Sequence, residues 1–222
     1  MKHLLLPLCL LAANAQAALC DSGQRQSPIN ISAEAISVKK LQPMAVTYQT
    51  APLKLANDGH TLRVRFDKSG QLVLGNERFT LQQFHFHTPG GDQIKGEAFP
   101  FAAHILHKSP SGQLLAIVVP FRLGAENSLL ARLLPLIPVK ADGDHTHPKV
   151  QVSAKDLLPA QLGYYRYSGS LSAAPCTEGV EWLVMKQALT LSAVQLAAWQ
   201  SHFKDNMRGI NPLHGRAVFE SQ

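Results

Sequence analysis

Short stretches of the chain alternate apolar and polar side chains, and turn-forming residues separate them. Alternation with a period of two places every second side chain on the same face of an extended strand. The stretches lie at 53–55, 62–66, 71–74 and 79–81. The segments between them contain Asn, Asp, Gly and Ser, which favour tight turns. This pattern predicts an antiparallel meander with one buried face.

A second pattern, at residues 114–121, is almost continuously apolar and predicts a central strand. Pro120 has no N–H to donate to a neighbouring strand, so we expect it to mark the end of this one. The polar segment 141–150 has no comparable signal, and we expect a surface loop there.

Helical periodicity is limited to residues 126–136 and 192–203, with Ser192 as the expected N-cap of the second segment. The chain has 222 residues, of which 45% are hydrophobic and 16% charged, and this allows one sizeable core. The same composition argues against a disordered chain and against a coiled coil. We therefore expect a mainly β single domain with short peripheral helices.

The formal net charge of +6 gives no indication of nucleic-acid binding. Lys and Arg residues are scattered, and Lys39 and Lys40 are the only adjacent pair, so they form no basic stripe. We therefore expect no nucleic-acid partner.

The N-terminus predicts a secretory signal peptide at residues 1–17. Residues 1–3 are a short basic start, 4–13 are an apolar run, and Ala15 and Ala17 supply the small side chains of a cleavage site. The apolar run is too short to span a bilayer as an anchor.

Cleavage after this leader would leave a mature domain at residues 18–222 with no membrane anchor, exported to the periplasm or secreted. An N-terminal core helix is the first alternative, but the segment lacks an apolar and polar period. A lipoprotein modified at Cys20 is the second, but Leu19 is large where that signal needs a small residue.

Removal of the leader would also leave two of the three cysteines, Cys20 and Cys176. Two thiols in an exported protein are expected to pair in the oxidising compartment, and free thiols are the alternative.

Two histidine pairs give the chain its candidate chemistry. His85 and His87 share one face of a predicted strand with Gln83, since side chains alternate along a strand. If residues 101–107 pair with that strand, one further histidine completes three nitrogens, the arrangement of catalytic zinc. His104 and His107 are separated by an odd number of positions, so only one of them faces the cluster. The alternative is a pair of surface histidines.

Six ordered segments extend this picture, because together they resemble the α-class carbonic anhydrases over most of the mature chain. They are 26–31 (QSPINI), 57–61 (NDGHT), 83–87 (QFHFH), 103–108 (AHILHK), a block formed by 164–171 (YYRYSGSL) and 175–182 (PCTEGVEW), and 211–216 (NPLHGR).

The resemblance implies a large twisted, mostly antiparallel central sheet with a conical cavity. It implies Zn²⁺ on His85, His87 and His104, with Gln83 as partner of His85 and His107 as a buried structural residue. It also implies reversible hydration of CO₂ to bicarbonate and a proton by zinc-bound hydroxide, the reaction of a lyase, in a monomer or homodimer.

Further residues take their roles from the same resemblance. His60 becomes the proton shuttle at the cavity mouth, and its unperturbed pKa of about 6.5 suits a relay near pH 7. Cys20 and Cys176 match the disulfide of exported bacterial members. The substrate pocket would be lined by Leu106, Ile117, Leu171, Val180 and Trp182. From the residues alone, His60 would be a turn histidine and these five would be ordinary core.

The chain also departs from the family pattern. Ser172 takes the place of the Thr that orients hydroxide. Gly91 and Ala102 stand where the family has glutamates, and we expect Asp92, one residue from Gly91, as a substitute partner for Ser172. The aromatic segment that precedes QSPINI in the family is mostly missing.

These departures predict a reduced rate, because loss of a ligand's hydrogen-bond partner typically costs 10–100-fold in metal affinity or activity. The alternative function is a carbonic-anhydrase-like zinc-binding protein with little or no CO₂ hydratase activity. An esterase-type side activity is a third, weaker possibility.

Overall fold

The computed structural model describes residues 20, 22–67, 69–141 and 143–221, so the predicted signal peptide at 1–17 lies outside the described residues. Strands dominate the regular structure, as the alternating patterns predict. In chain order the strands are β1 (Asn30–Ile31), β2 (Ile36–Val38), β3 (Met44–Tyr48), β4 (Ala51–Asn57), β5 (Leu62–Arg65), β6 (Gly70–Leu74), β7 (Glu77–His87), β8 (Gln93–Ile94), β9 (Phe101–Lys108), β10 (Leu114–Leu123), β11 (Gly143–Val152), β12 (Tyr164–Ser170), β13 (Glu178–Met185), β14 (Leu189–Leu191) and β15 (Val218–Glu220).

Thirteen of these strands form one sheet, whose main path runs β11-β4-β5-β7-β9-β10-β13-β12-β15-β2. β6 also pairs with β7 and with β3, while β14 pairs with β10. Most neighbours are antiparallel, and the exceptions are β10–β13, β10–β14 and β15–β2. β1 and β8 form a separate parallel pair. The prediction of a large, mostly antiparallel sheet is confirmed.

Two short helices lie where helical periodicity predicts them. α1 (Ser128–Leu133) continues as a 3₁₀ turn (Leu134–Leu136), and the Asn127 side chain caps its N-terminus. α2 (Ala193–His202) begins with a capping box built on Ser192, as expected. No helix in the described ranges is long and apolar enough to cross a membrane.

The expectation that Pro120 ends its strand is wrong, because β10 continues beyond it to Leu123. Pro120 pairs with Ala102 of β9 on one side. On the other side β10 pairs with β13 as far as Val118 and with β14 from Phe121. The proline, which has no N–H, therefore sits where β10 changes neighbours, and the sheet tolerates it there.

The prediction of a surface loop at 141–150 is also wrong, because β11 covers Gly143–Val152 and pairs with β4. This strand lies at the edge of the sheet, and most of its side chains are exposed. An exposed edge strand needs no apolar alternation, so the sequence carried little signal for it.

Alternation along the strands divides the buried side chains into two cores. The larger one takes Phe84 and Phe86 from β7 and Trp199 from α2. The smaller one, on the opposite face of the central strands, takes Ala116 from β10 and Trp182 from β13. The smaller core forms the apolar side of the candidate site.

Cys20 and Cys176 form a disulfide, which confirms the expected pairing. The bond joins positions 156 residues apart in sequence and ties the segment before β1 to the loop between β12 and β13.

Candidate metal centre and its cavity

Three histidines meet at the centre of the sheet. His85 and His87 are on β7 and His104 is on β9, with His85 directly opposite His104 in the antiparallel register. One ring nitrogen from each lies within 4.8 Å of the others. The strand register brings these residues together, as the alternation argument predicts.

Several nitrogens of this cluster are buried without a hydrogen-bond partner among the described residues: Nε2 of His87, and Nδ1 and Nε2 of His104. Buried polar groups normally have partners, since leaving one unpaired costs about 1–3 kcal/mol. A metal ion that takes one nitrogen from each ring would provide most of what is missing. Three imidazoles suit zinc, so the residues fit this ion.

Burial also keeps the three rings neutral, which is the form that binds metal. Desolvation lowers the pKa of His87 to about 4, and it holds the pKa values of His85 and His104 well below the ordinary range. The neighbouring His87 and the charge of Arg63 lower the pKa of His85 further.

Two of the three rings are oriented by carbonyl oxygens. His85 Nδ1–H donates to Gln83 Oε1 at 3.0 Å, and His87 Nδ1–H donates to the backbone oxygen of Asn206 at 3.1 Å. Because both acceptors are carbonyl oxygens, both Nδ1 atoms carry the proton and both Nε2 atoms are left for a metal. The expected Gln83 contact is therefore present.

Asn206, which the sequence reasoning missed, anchors the neighbourhood of the cluster. Its side-chain amide donates to the backbone oxygens of His60 (2.8 Å) and Phe86 (3.1 Å), and its Oδ1 accepts from the Thr88 N–H (2.8 Å). Asn206 follows α2, about 120 positions after β7, and lies in none of the recognised motifs, so no local signal could have found it.

The third ring has no such support in the part of the chain that the structure describes. Both nitrogens of His104 are unpaired, and Ala102, two residues earlier on the same face, is apolar and fully buried. The ring is held by packing, with ring centroids 5.1 Å from Trp182 and 4.4 Å from His87.

A cavity with two lobes opens from the cluster. The apolar lobe has a volume of about 260 Å³ and the polar lobe a volume of about 520 Å³. The apolar lobe is lined by Arg63, Gln83, His85, His104, Leu106, Leu114, Ala116, Leu171, Ser172, Ala173, Ala174, Val180 and Trp182. The polar lobe is lined by Asp58, His60, Thr61, Arg63, His85, His87, Ser172, Ala173, Ala174, Asp205, Asn206, Met207 and Arg208.

Four of the five expected wall residues line the apolar lobe, namely Leu106, Leu171, Val180 and Trp182. The prediction for the fifth, Ile117, is wrong, because this side chain is fully buried in the larger core on the opposite face of the sheet. Ala116 lines the cavity instead. The error is one residue along β10, and in a strand a shift of one residue moves a side chain to the other face.

His60 lies at the exposed end of the polar lobe, in the turn between β4 and β5. The Asp58 carboxylate shapes this turn by accepting from the N–H groups of His60 (2.9 Å) and Thr61 (2.8 Å). His107 faces the other side of the sheet, as its odd separation from His104 allows. It is completely buried and lies 2.6 Å from the Tyr48 hydroxyl. Burial lowers the pKa of His107 to about 4.

The expectation that Asp92 replaces the missing glutamate is wrong. Asp92 Oδ1 accepts from the Ile29 N–H (3.0 Å) and the Tyr167 hydroxyl (2.8 Å), which turns the carboxylate away from the cavity. Ser172 lines both lobes, and its hydroxyl has no hydrogen-bond partner within the described ranges.

The backbone at Gly91 explains why no larger side chain occupies that position. Gly91 has φ +92°, a left-handed conformation that side chains disfavour. A Cβ atom there would lie 2.8 Å from the Met207 Cε. The Met207 methyl is the end of a flexible side chain and can move, so the backbone conformation is the main obstacle to a glutamate here.

Comparisons with known proteins agree with this site. Residues 13–222 match the eukaryotic-type carbonic anhydrase family. The carbonic anhydrase of Pectobacterium carotovorum is 40% identical over 202 residues, which cover 90% of this chain and 81% of that protein. The carbonic anhydrase of Neisseria gonorrhoeae is 38% identical over 208 residues, 91% and 79% of the two chains.

Solved structures show the same relationship. The α-carbonic anhydrase of Thermovibrio ammonificans, in complex with the inhibitor sulfanilamide, has a TM-score of 0.85 to this chain at 35% identity, and the match covers 92% of this chain and 90% of the other. The chain belongs to the α-carbonic anhydrase family, a family of lyases.

Proposed function

We propose that this protein catalyses the reversible hydration of CO₂ to bicarbonate and a proton, with Zn²⁺ held by His85, His87 and His104. The supporting observation is the convergence of three neutral imidazoles beside a cavity with an apolar side. His87 and His104 are buried and have nitrogens with no hydrogen-bond partner among the described residues, and His85 is partly buried. When bound, zinc lowers the pKa of a coordinated water to about 7 and so supplies hydroxide at neutral pH.

The protein's own residues would divide the remaining work between the two lobes. Leu106, Val180 and Trp182 would hold CO₂ in the apolar lobe. The Ser172 hydroxyl would accept a hydrogen bond from the nucleophile and fix its direction. On the polar side, His60 would receive the released proton on its ring and pass it to solvent.

The same geometry supports a rate below that of family members that have the glutamates. Among the described residues, no carboxylate fixes the Ser172 hydroxyl, and a serine rotates more freely than a threonine. No hydrogen-bond partner in the described ranges orients the His104 ring. Both deficits act on positioning rather than on the presence of zinc.

The disulfide supports a site of action outside the reducing cytoplasm. We propose that residues 1–17 act as a cleaved signal peptide and that the mature domain works in the periplasm or outside the cell. Mass spectrometry of the exported protein would show an N-terminus at Ala18, and an intact N-terminus would contradict this.

Stopped-flow CO₂ hydration by protein of measured zinc content tests the proposed activity. We expect one zinc per chain and a rate above the buffer background that is lost on chelation and in His104→Ala. His147→Ala, on the exposed edge strand β11, is the matched control and should be fully active.

A carbonic-anhydrase-like zinc protein with little hydratase activity is the second candidate. The Ser172 hydroxyl and the His104 ring favour it, because neither has a hydrogen-bond partner in the part of the chain that the structure describes. One bound zinc per chain with a rate at the buffer background would establish this candidate and contradict the first.

A further inference from the structure

Arg63 occupies a distinctive place in the cavity. It lies on β5 directly opposite His85 of β7. Five residues line both lobes and so mark where the lobes meet: Arg63, His85, Ser172, Ala173 and Ala174. Of these five, Arg63 is the one with a permanent charge. Arg63 therefore places a positive charge where the two lobes meet.

The guanidinium of Arg63 is held at one end and has donors left over. Its Nη2 contacts Asp58 Oδ2 at 2.7 Å. Its Nε is buried and has no hydrogen-bond partner in the described part of the chain. A guanidinium carries five N–H donors, and 43% of this side chain is exposed. The ion pair therefore fixes the direction of the group without using its full donor capacity.

The other charged groups around the polar lobe are Asp58, Asp205 and Arg208. Asp58 already accepts from two backbone N–H groups in addition to its ion pair with Arg63. The Arg208 guanidinium also lines this lobe, but it donates to three other oxygens of the protein. Of the two arginines that line the polar lobe, Arg63 therefore makes fewer bonds to the protein and has more donors to offer a ligand.

We propose that Arg63 forms a binding site for a small planar oxyanion at the junction of the two lobes. A planar guanidinium pairs with a carboxylate-type anion through two parallel N–H···O bonds, which a lysine or a neutral side chain does not reproduce. The natural ligand would be bicarbonate, and this identification rests on the proposed function. Arg63 would then hold the product beside the metal site and raise the affinity of the cavity for anions.

Formate is a suitable probe, because it is a planar monoanion, and formamide is its neutral counterpart. We would titrate each into zinc-loaded, ¹⁵N-labelled protein and follow two signals. The Arg63 Nε–H resonance, assigned by its loss in Arg63→Gln, reports on the guanidinium in wild type, and the backbone N–H of Ala173, which also lines both lobes, gives the formate affinity in every variant. The expected result is a saturable shift with formate and none with formamide.

The variants then test which arginine is responsible. Arg63→Gln should weaken formate binding about tenfold, the lower end for a hydrogen bond to a charged group. Arg65→Gln is the matched control: Arg65 lies two residues along the same strand and pairs with Asp144 at 3.2 Å, but it lines neither lobe. Arg63→Lys keeps the positive charge but lacks the planar pair of N–H donors, so its formate affinity should lie between those of Arg63→Gln and Arg65→Gln.

An unmoved Arg63 Nε–H signal, or equal formate affinity in wild type, Arg63→Gln and Arg63→Lys, would overturn the proposal. Formate binding needs no turnover, so the two proposals fail separately. A protein that binds formate through Arg63 without hydrating CO₂ contradicts only the proposed function. A protein that hydrates CO₂ with no role for Arg63 in anion binding contradicts only this site.

Discussion

The two halves of the histidine cluster are supported in different ways. On the β7 side, His85 and His87 each donate to a carbonyl oxygen, from Gln83 and Asn206. On the other side, His104 makes no hydrogen bond to the described residues, and the nearby Ser172 hydroxyl makes none either. One half is fixed by hydrogen bonds and the other by packing alone.

This difference separates two properties that usually go together. The hydrogen bonds on the β7 side fix tautomer and ring direction, and these favour metal affinity. The groups missing on the other side would orient the third ligand and the nucleophile. We therefore expect the protein to retain zinc well but to hydrate CO₂ with a reduced turnover number.

The largest effect should come from the ligands themselves. His87→Ala and His104→Ala should each lower zinc affinity by more than about 100-fold. Losing a metal ligand costs more affinity than losing the hydrogen-bond partner of a ligand. Metal analysis after dialysis against a chelator measures this. If His104→Ala retained zinc as well as wild type, only the β7 half would be a metal site.

The support on the β7 side predicts the next effect. Gln83→Ala should lower zinc affinity by about 10–100-fold, because His85 loses the acceptor that fixes its tautomer. Competition with a chromophoric chelator measures it. Gln82→Ala is the matched control, since the adjacent side chain is exposed and bonds to the Thr80 oxygen. Equal losses in both variants would point to a general weakening of β7.

A carboxylate that accepts a hydrogen bond from His104 should make the two halves of the histidine cluster more equally supported. Ala102→Glu alone should destabilise the fold by about 1–3 kcal/mol, because Ala102 and Val118 share a closely packed core. With Val118→Ala to make room, Ala102→Glu should raise zinc affinity by about tenfold. Ala102→Leu in the same background controls for volume, and an equal gain there would show that packing is responsible.

The disulfide should affect the Ser172 side more than the β7 side, since Cys176 and Ser172 lie in the same loop between β12 and β13. Replacing both cysteines by serine should lower the free energy of unfolding by about 2–4 kcal/mol, as measured with urea. The rate of CO₂ hydration should fall while zinc affinity changes little. A parallel fall in zinc affinity would show that the loop supports the whole cluster.

The last effect lies outside the histidine cluster and concerns the dependence of stability on the titration of Asp92. Burial raises the pKa of its carboxyl from 3.8 to about 6, although hydrogen bonds from Ile29 and Tyr167 oppose the change. The folded state holds this proton more tightly, so the stabilisation is complete below pH 4 and is lost as the pH rises through 6.

Asp92→Asn keeps the acceptor oxygen and removes the titration. Relative to this variant, wild type should lose up to about 3 kcal/mol of stability between pH 4 and pH 7. Denaturant unfolding at several pH values measures the difference. Parallel curves for the two proteins would show that Asp92 does not titrate in this range.

Much of the site follows from periodicity in the sequence. The two-residue period alone places His85 and His87 on the cavity face and Phe84 on the other, because a strand permits no other arrangement. The same rule excludes either His104 or His107 from the cluster. The rule fails for Ile117 because β10 is almost wholly apolar, so its sequence does not show which alternate residues face the cavity. Ala116 lines the cavity in place of Ile117.

Other features depend on contacts that no local pattern encodes. Asn206 reaches the cluster from a loop about 120 residues away, and Asp92, just before β8, meets Tyr167 of β12, which lies 75 residues later in the chain. Pro120 is tolerated within β10 because the neighbouring strand changes there. Such features require the assembled sheet.

The most direct test of the account is the turnover number for CO₂ hydration, measured on the same sample as its zinc content. The account predicts one zinc per chain, held by His85, His87 and His104, and a measurable rate that rises in the Ala102→Glu, Val118→Ala protein. A rate at the buffer background in the fully zinc-loaded protein, unchanged in that variant, would contradict it.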